Sequence, residues 1–216
     1  MAASGAAPAR ASDVDARVVL DDVAIRRALV RIAHEVVERN ETLRDLYLVA
    51  IPNGGVPLAR IIAAQVREIT GLEVPVGILD TTLYRDDLSA RGERPPLRRT
   101  EMPSAVDDRV VVLVDDVVST GRTIRAAMDA LMDFGRPRSV QVVGLVDRGH
   151  RELPIKIDFV GKNVPTQREE RVVLRGLSGD LEGALEVVIL AEHERSESGE
   201  RARGERSEPD GEKGGA

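Results

Sequence analysis

One stretch constrains this chain most: Arg109-Val-Val-Val-Leu-Val-Asp115-Asp116-Val-Val-Ser-Thr120-Gly121-Arg122-Thr123. Its apolar, β-branched run from Val110 to Val114 is short and bounded by charge. That pattern predicts a strand buried on both faces of a parallel sheet. Two carboxylates stand at its carboxyl end. A small polar loop follows, and then a helical pattern of Ile124, Ala127, Met128, Leu131 and Met132. In open α/β sheets, ligands bind beyond the carboxyl ends of the strands. Free N–H groups and hydroxyls at a helix N-terminus favour a phosphate there. Gly121 removes the Cβ that would keep backbone away from that phosphate. Asp115 and Asp116 suit the opposite task, accepting from vicinal hydroxyls or holding Mg²⁺ through water. Alone, an Asp-Asp pair reads as a turn cap and Thr120 to Thr123 as a helix cap. Together and in this order they read as a sugar-phosphate site. A Walker A reading fails, because no Gly-Lys-Ser/Thr is present.

With 216 residues, 42% of them hydrophobic, the chain is long enough for one α/β domain with appendages. Only 2% are aromatic, so the core is aliphatic. The net charge of −6 argues against an indiscriminately basic nucleic-acid binder, but leaves room for a local basic face. No cysteine is present, so disulfides, a thiol nucleophile and a Cys-based zinc site are excluded. That composition suits the cytoplasm. No membrane-spanning stretch and no signal-peptide pattern are read.

Residues 1–16 read as a flexible leader, 17–191 as one domain, and 192–216, rich in Glu, Arg, Ser and Gly, as a disordered tail. Val23 to Asn40 predicts an amphipathic helix with Ile25, Leu29, Ile32, Ala33, Val36 and Val37 inward. Arg27, Arg31 and His34 share its outer face, with Arg26 and Arg39 nearby. On pattern alone that face is merely solvated, because Glu35 and Glu38 dilute its charge. Tyr47 to Ile51 predicts a strand, Pro52-Asn53-Gly54-Gly55 a tight loop, and Val56 to Thr70 a helix. This is a second strand–loop–helix unit, and a diphosphorylated sugar needs two anion sites. Val74 to Leu83 predicts another strand. The polar segment from Tyr84 to Pro103, which includes Arg85, reads as a loop over a site or as disorder. Further strands are expected at Ser139 to Val146, Ile157 to Val160, Arg171 to Leu174 and Leu185 to Leu190. Gly161 to Thr166 is expected to be a turn.

The Asp115 to Thr123 string resembles the phosphoribosyl-pyrophosphate (PRPP) signature of type I phosphoribosyltransferases. From about Ala24 to Leu190 the chain is similar to the PyrR-type family within that group, whose members attenuate pyrimidine operons and act as uracil phosphoribosyltransferases. The resemblance is carried by Ile25-Arg-Arg-Ala-Leu-Val-Arg-Ile-Ala-His-Glu, by Thr82-Leu-Tyr-Arg-Asp-Asp-Leu-Ser, and by Val146-Asp-Arg-Gly-His-Arg-Glu-Leu-Pro. Gly161-Lys-Asn-Val-Pro-Thr adds to it.

It implies a type I phosphoribosyltransferase fold, a parallel sheet flanked by helices with a small hood, assembled as a homodimer or larger homo-oligomer. It implies that Asp115 and Asp116 meet the ribose hydroxyls or the magnesium of PRPP. Thr120, Gly121, Arg122 and Thr123 would hold the 5′-phosphate, and Asn53, Gly54 and Gly55 the pyrophosphate. Arg85 would join the substrate site, and Asp147 and Arg148 would lie near the base. The implied ligands are PRPP, uracil, UMP or UTP, with Mg²⁺. Arg26, Arg27, Arg31, His34, His150, Arg151 and Lys162 would form a basic surface for pyrimidine (pyr) leader messenger RNA, which reverses the solvated reading of the first helix. Two departures stand out. The family usually has Thr-Arg-Gly where this chain has Asn53-Gly54-Gly55, and Leu-Tyr where it has Val118-Ser119. They motivate the alternative of a phosphoribosyltransferase for another base with no RNA role. The first departure also predicts slow transfer, with Gly54→Arg restoring rate if the backbone tolerates a side chain there.

Overall fold

The computed structural model describes residues 16–52, 54–86, 99–176 and 183–191. The expected leader, except Ala16, and the expected tail lie outside them, as do Asn53 and residues 87–98 of the polar segment. Five strands form a parallel sheet: β2 (Leu46–Ala50), β3 (Val76–Ile78), β4 (Val110–Val118), β5 (Ser139–Asp147) and β6 (Phe159–Asn163), in the order β3-β2-β4-β5-β6. β4, the apolar run, lies at the centre. Its side chains alternate between two cores. Val110, Val112 and Val114 face one, and Val111 and Leu113 the other. On the first face pack α1 (Asp22–Arg39) and α2 (Gly55–Thr70), and on the second α3 (Arg122–Met132). Burying both faces requires unbroken aliphatic strands, and each buried Val, Leu or Ile adds roughly 1.5–3 kcal/mol.

A separate antiparallel sheet, β1 (Ala16–Leu20), β8 (Leu185–Leu190) and β7 (Arg171–Gly176), forms the hood. It is tied to α1 at Asp22, whose carboxylate accepts from Arg26 Nε at 2.7 Å and from the Leu185 amide at 3.0 Å. Those bonds hold the Asp22 carboxyl below the usual carboxylate range, the Arg26 bond being the larger cause.

Three expectations are corrected. The strand expected from Val74 to Leu83 covers only Val76–Ile78, and a 3-10 turn occupies Thr82–Tyr84. Asp80 ends the extended run by accepting from the Thr82 amide at 2.9 Å and its hydroxyl at 2.6 Å. The turn expected from Gly161 is instead the middle of β6. Gly161 is needed for close approach, since a Cβ there would lie 2.4 Å from the Leu145 carbonyl oxygen. β4 does not stop before the acidic pair but carries it to Val118, paired with β5 out to Asp147.

Candidate functional site

At the carboxyl edge of β4, the acidic pair sits inside the strand end rather than on an open loop. Asp115 is 5% exposed. Its Oδ1 accepts from the Asp116 amide at 3.1 Å, and Asp116 Oδ1 accepts from the Val117 amide at 2.9 Å. Burial, and then the Asp116 carboxylate beside it, push the Asp115 carboxyl well above the usual range, against a smaller opposing pull from Arg85. Burial also raises Asp116. Two carboxyls held this way share their ionisation, and a cation or a set of hydroxyl donors is what they lack.

Two loops flank the pair. On the β2 side, Gly54 and Gly55 begin α2. Gly54 has ordinary helical angles, φ −70° and ψ −28°, so its conformation would suit any residue. Space does not: a Cβ there would lie 2.3 Å from Asp116 Oδ2 and 2.6 Å from Asp116 Cβ. An arginine here, expected to raise the rate if the backbone tolerates a side chain, therefore meets suitable backbone angles but requires Asp116 or the start of α2 to shift.

On the other side, Ser119 to Thr123 opens α3. Gly121 caps it at φ +91°, a left-handed angle that favours glycine. The segment after β5 braces this loop. The Arg148 amide donates to Val118 O at 3.1 Å, and the Glu152 and Leu153 amides donate to Thr120 O at 3.0 and 3.1 Å. Arg151 donates to Asp147 Oδ2 at 2.9 Å, to Ile155 O at 3.0 Å and to Ser119 O.

Between the loop and the hood lies a polar cleft of about 510 Å³, a size that suits a nucleotide. Of the expected substrate residues, Asp115, Arg85, Thr120, Gly121, Thr123 and Arg148 line it. Arg148 is also used structurally, donating to Thr166 Oγ1 at 3.0 Å and to Gln167 O at 3.0 Å. Arg122 turns aside, with Nε on Glu152 and Nη1 on Asp86, each at 2.8 Å. Asp147 is spent on Arg151 and the Gly149 amide. Asn53 lies outside the described residues. The sequence reading missed Arg168, Arg171 and Val172, which bring the hood to the cleft wall, and Glu152 beside the phosphate-type loop. No local sequence pattern points to them.

The expected RNA residues are engaged in different ways. Arg31 donates to Glu35 at 2.6 Å and to the carbonyls of Val160 and Gly161 at 3.0 and 2.8 Å. Lys162 Nζ donates to Val19 O at 3.1 Å, and Arg26 pairs with Asp22. Arg27 and His34 are exposed on the same helix. His150 faces the cleft, bonded to Thr166 O at 2.8 Å, and Arg151 is turned inward as a brace. Among the described residues no three His, Cys, Asp or Glu side chains gather as a metal site, and no helix is long and apolar enough to cross a membrane.

Residues 19–173 match the family model described as the phosphoribosyl transferase domain. A protein named Bifunctional protein PyrR from Pelotomaculum thermopropionicum is 55% identical over 172 residues, covering 80% of this chain and 94% of its own. The protein of the same name from Chloroflexus aurantiacus is 59% identical over 166 residues, covering 77% and 90%. Among solved structures, a hypoxanthine phosphoribosyltransferase of Trypanosoma cruzi superposes with a TM-score of 0.60 at 16% identity, over 82% of this chain and 97% of that one. One from Staphylococcus aureus gives 0.56 at 18% identity, over 76% and 84%. At such identities the structures speak for the fold alone.

Proposed function

The chain belongs to the phosphoribosyl transferase family, in its PyrR branch, and from that premise we propose that it joins uracil to PRPP, giving UMP and pyrophosphate, and regulates pyrimidine genes by uridine-nucleotide-dependent binding to their leader messenger RNA. The observation that carries this reading is the cleft itself. A carboxylate pair, Asp115 buried and Asp116 partly so, stands between two glycine-bearing helix starts, with Asp115 on the cleft wall beneath a hood whose arginines face in. No covalent nucleophile is needed. As pyrophosphate departs, positive charge develops on the ribose, and the base nitrogen attacks its anomeric carbon. Asp115 and Asp116 accept from the ribose hydroxyls and fix the ring. The Thr120–Thr123 loop anchors the 5′-phosphate, and the hood excludes water. Mg²⁺, when bound, supplies positive charge to the departing pyrophosphate. Among the described residues no third His, Cys, Asp or Glu joins the two carboxylates as a metal site, and such a pair suits a cation held mainly by substrate oxygens and water. The protein acts in the cytoplasm as a homodimer or larger homo-oligomer.

Affinity for PRPP is expected to depend on pH. Ribose hydroxyls donate best to ionised carboxylates, whereas burial keeps the free pair protonated above the usual range. Binding should therefore release protons, and affinity should tighten as pH rises above the ordinary carboxylate range. Calorimetry in buffers of different ionisation heat checks this; identical heats and a flat profile would contradict it.

The RNA reading rests on the outer face of α1. A net-acidic chain binds RNA through a local basic face, since phosphate contacts dominate affinity. Arg27 is exposed, with no ion pair among the described residues, whereas Arg31 is held by Glu35 and β6. Arg27→Gln should lower the salt slope of binding by about one, leaving uracil transfer intact. Arg31→Gln should in addition lower Tm. Fluorescence anisotropy with leader RNA, with and without UMP, tests both. RNA affinity unaffected by UMP, with equal slopes for wild type and Arg27→Gln, would favour a paralogue without an RNA role.

A further inference from the structure

The cleft and the outer face of α1 are joined through one carboxylate. Arg171 and Val172 of β7 line the cleft, and β8 pairs with β7 from Leu190 opposite Arg171 to Leu185 opposite Gly176. The Leu185 amide donates to Asp22 Oδ1 at 3.0 Å, and Asp22 Oδ2 accepts from Arg26 Nε at 2.7 Å. Asp22 is not needed to start the helix, because Asp21 already caps it by accepting from the Ala24 amide at 2.7 Å. The Asp22 side chain is 25% exposed and that of Arg26 54%, so the pair lies where a polyanion can reach it.

A carboxylate on Arg26 does what an RNA phosphate would do, accepting a charge-assisted bond from the guanidinium. The two acceptors therefore compete for one cation. The Leu185 amide fixes the carboxylate from the other side, and Leu185 is itself buried in the core that α1 shares with the hood. A ligand in the cleft that draws on Arg171 loads the sheet that carries Leu185. Without its second anchor, an ion pair this exposed is weak. Resting on the RNA reading above, we propose that Asp22 guards Arg26: it withholds the guanidinium from RNA while the cleft is empty, and a uridine nucleotide against the hood frees it by shifting the Leu185 amide. The nucleotide then strengthens RNA binding because it favours the released state.

Fluorescence anisotropy with leader RNA, with and without UMP, tests this on the full chain. Asp22→Asn keeps an oxygen for the Leu185 amide and removes the charge that holds Arg26. It should tighten RNA binding without UMP by about five- to tenfold and steepen the salt slope there by about one. Affinity with UMP, and uracil transfer, should stay nearly unchanged. Glu38, exposed on the same helix, is the control for charge alone, and Glu38→Gln should change affinity equally with and without UMP. In an Arg26→Gln background, Asp22→Asn should have no effect. Because coupling is reciprocal, RNA should raise UMP affinity less in Asp22→Asn than in the wild type, by the same factor. An Asp22→Asn protein that keeps the wild-type UMP dependence, or that gains RNA affinity equally in both states, would overturn the proposal. A wild type whose RNA binding ignores UMP would instead overturn the RNA reading on which it rests.

Discussion

Asp115→Asn combined with Asp116→Asn is expected to give a folded, more heat-stable protein that transfers uracil roughly 10²–10³-fold more slowly. Both carboxyls are raised above their ordinary value of 3.8, burial being the first cause. A raised acid contributes its stability fully below the unfolded value, and that contribution is lost as pH rises through the folded value. At neutral pH the wild type therefore carries the cost of charges that the fold disfavours. Asn removes that cost and keeps the geometry, since each Oδ1 still accepts from the amide that follows it. A gain of about 1–2 kcal/mol is expected, the scale seen when a strained functional site is relaxed. For a domain of this size each kcal/mol raises Tm by roughly 2–4 °C. The gain should fade in acid, where the wild-type carboxyls are already neutral. Thermal unfolding at several pH values, alongside the transfer assay, checks both halves. A destabilised variant that keeps its rate would show that the pair is structural.

Gly54→Arg is expected to destroy the site. The substituted Cβ would meet Asp116 along its length, including Asp116 Cβ, which is fixed to strand β4. Relief would require β4 or the start of α2 to shift. Overpacking of this kind costs roughly 1–3 kcal/mol. PRPP binding should fall by at least about tenfold, because the shift moves a carboxylate that meets the ribose. Gly54→Ala should show much of the same effect, since the collision begins at Cβ. Denaturant unfolding and PRPP calorimetry on both variants are the check. A Gly54→Arg protein that turns over faster than wild type would mean that Asp116 swings aside, leaving the missing loop cation as the real limit on rate.

The central unit is legible in the chain because its signals are local. The β-branched run, the paired carboxylates, Gly121 and the periodicity of α3 all fall within one window, and the fold needs them in that order. The apolar face of α1 is legible for the same reason. The hood's part in the cleft is not, because Arg168, Arg171 and Val172 reach it by tertiary packing that no periodicity records. Arg151 reads as a surface cation, yet Asp147 and two carbonyls draw it inward as the brace of the phosphate loop. Arg31 reads as free charge, but the carbonyls of β6 use it. Glycines mislead in a similar way. Gly161 marks a close approach of paired parallel strands rather than a turn, and Gly54 makes room for a carboxylate rather than adopting a special angle. In each case the deciding contact lies far away in sequence.

The central claim is that the cleft beyond β4 binds PRPP and selects uracil. The most direct measurement is a transfer assay with Mg²⁺ and PRPP, in which uracil is compared with hypoxanthine, guanine and orotate and both nucleotide and pyrophosphate are counted. The prediction is equal amounts of UMP and pyrophosphate from uracil, with little product from the other bases. Product from a purine base and none from uracil would contradict it.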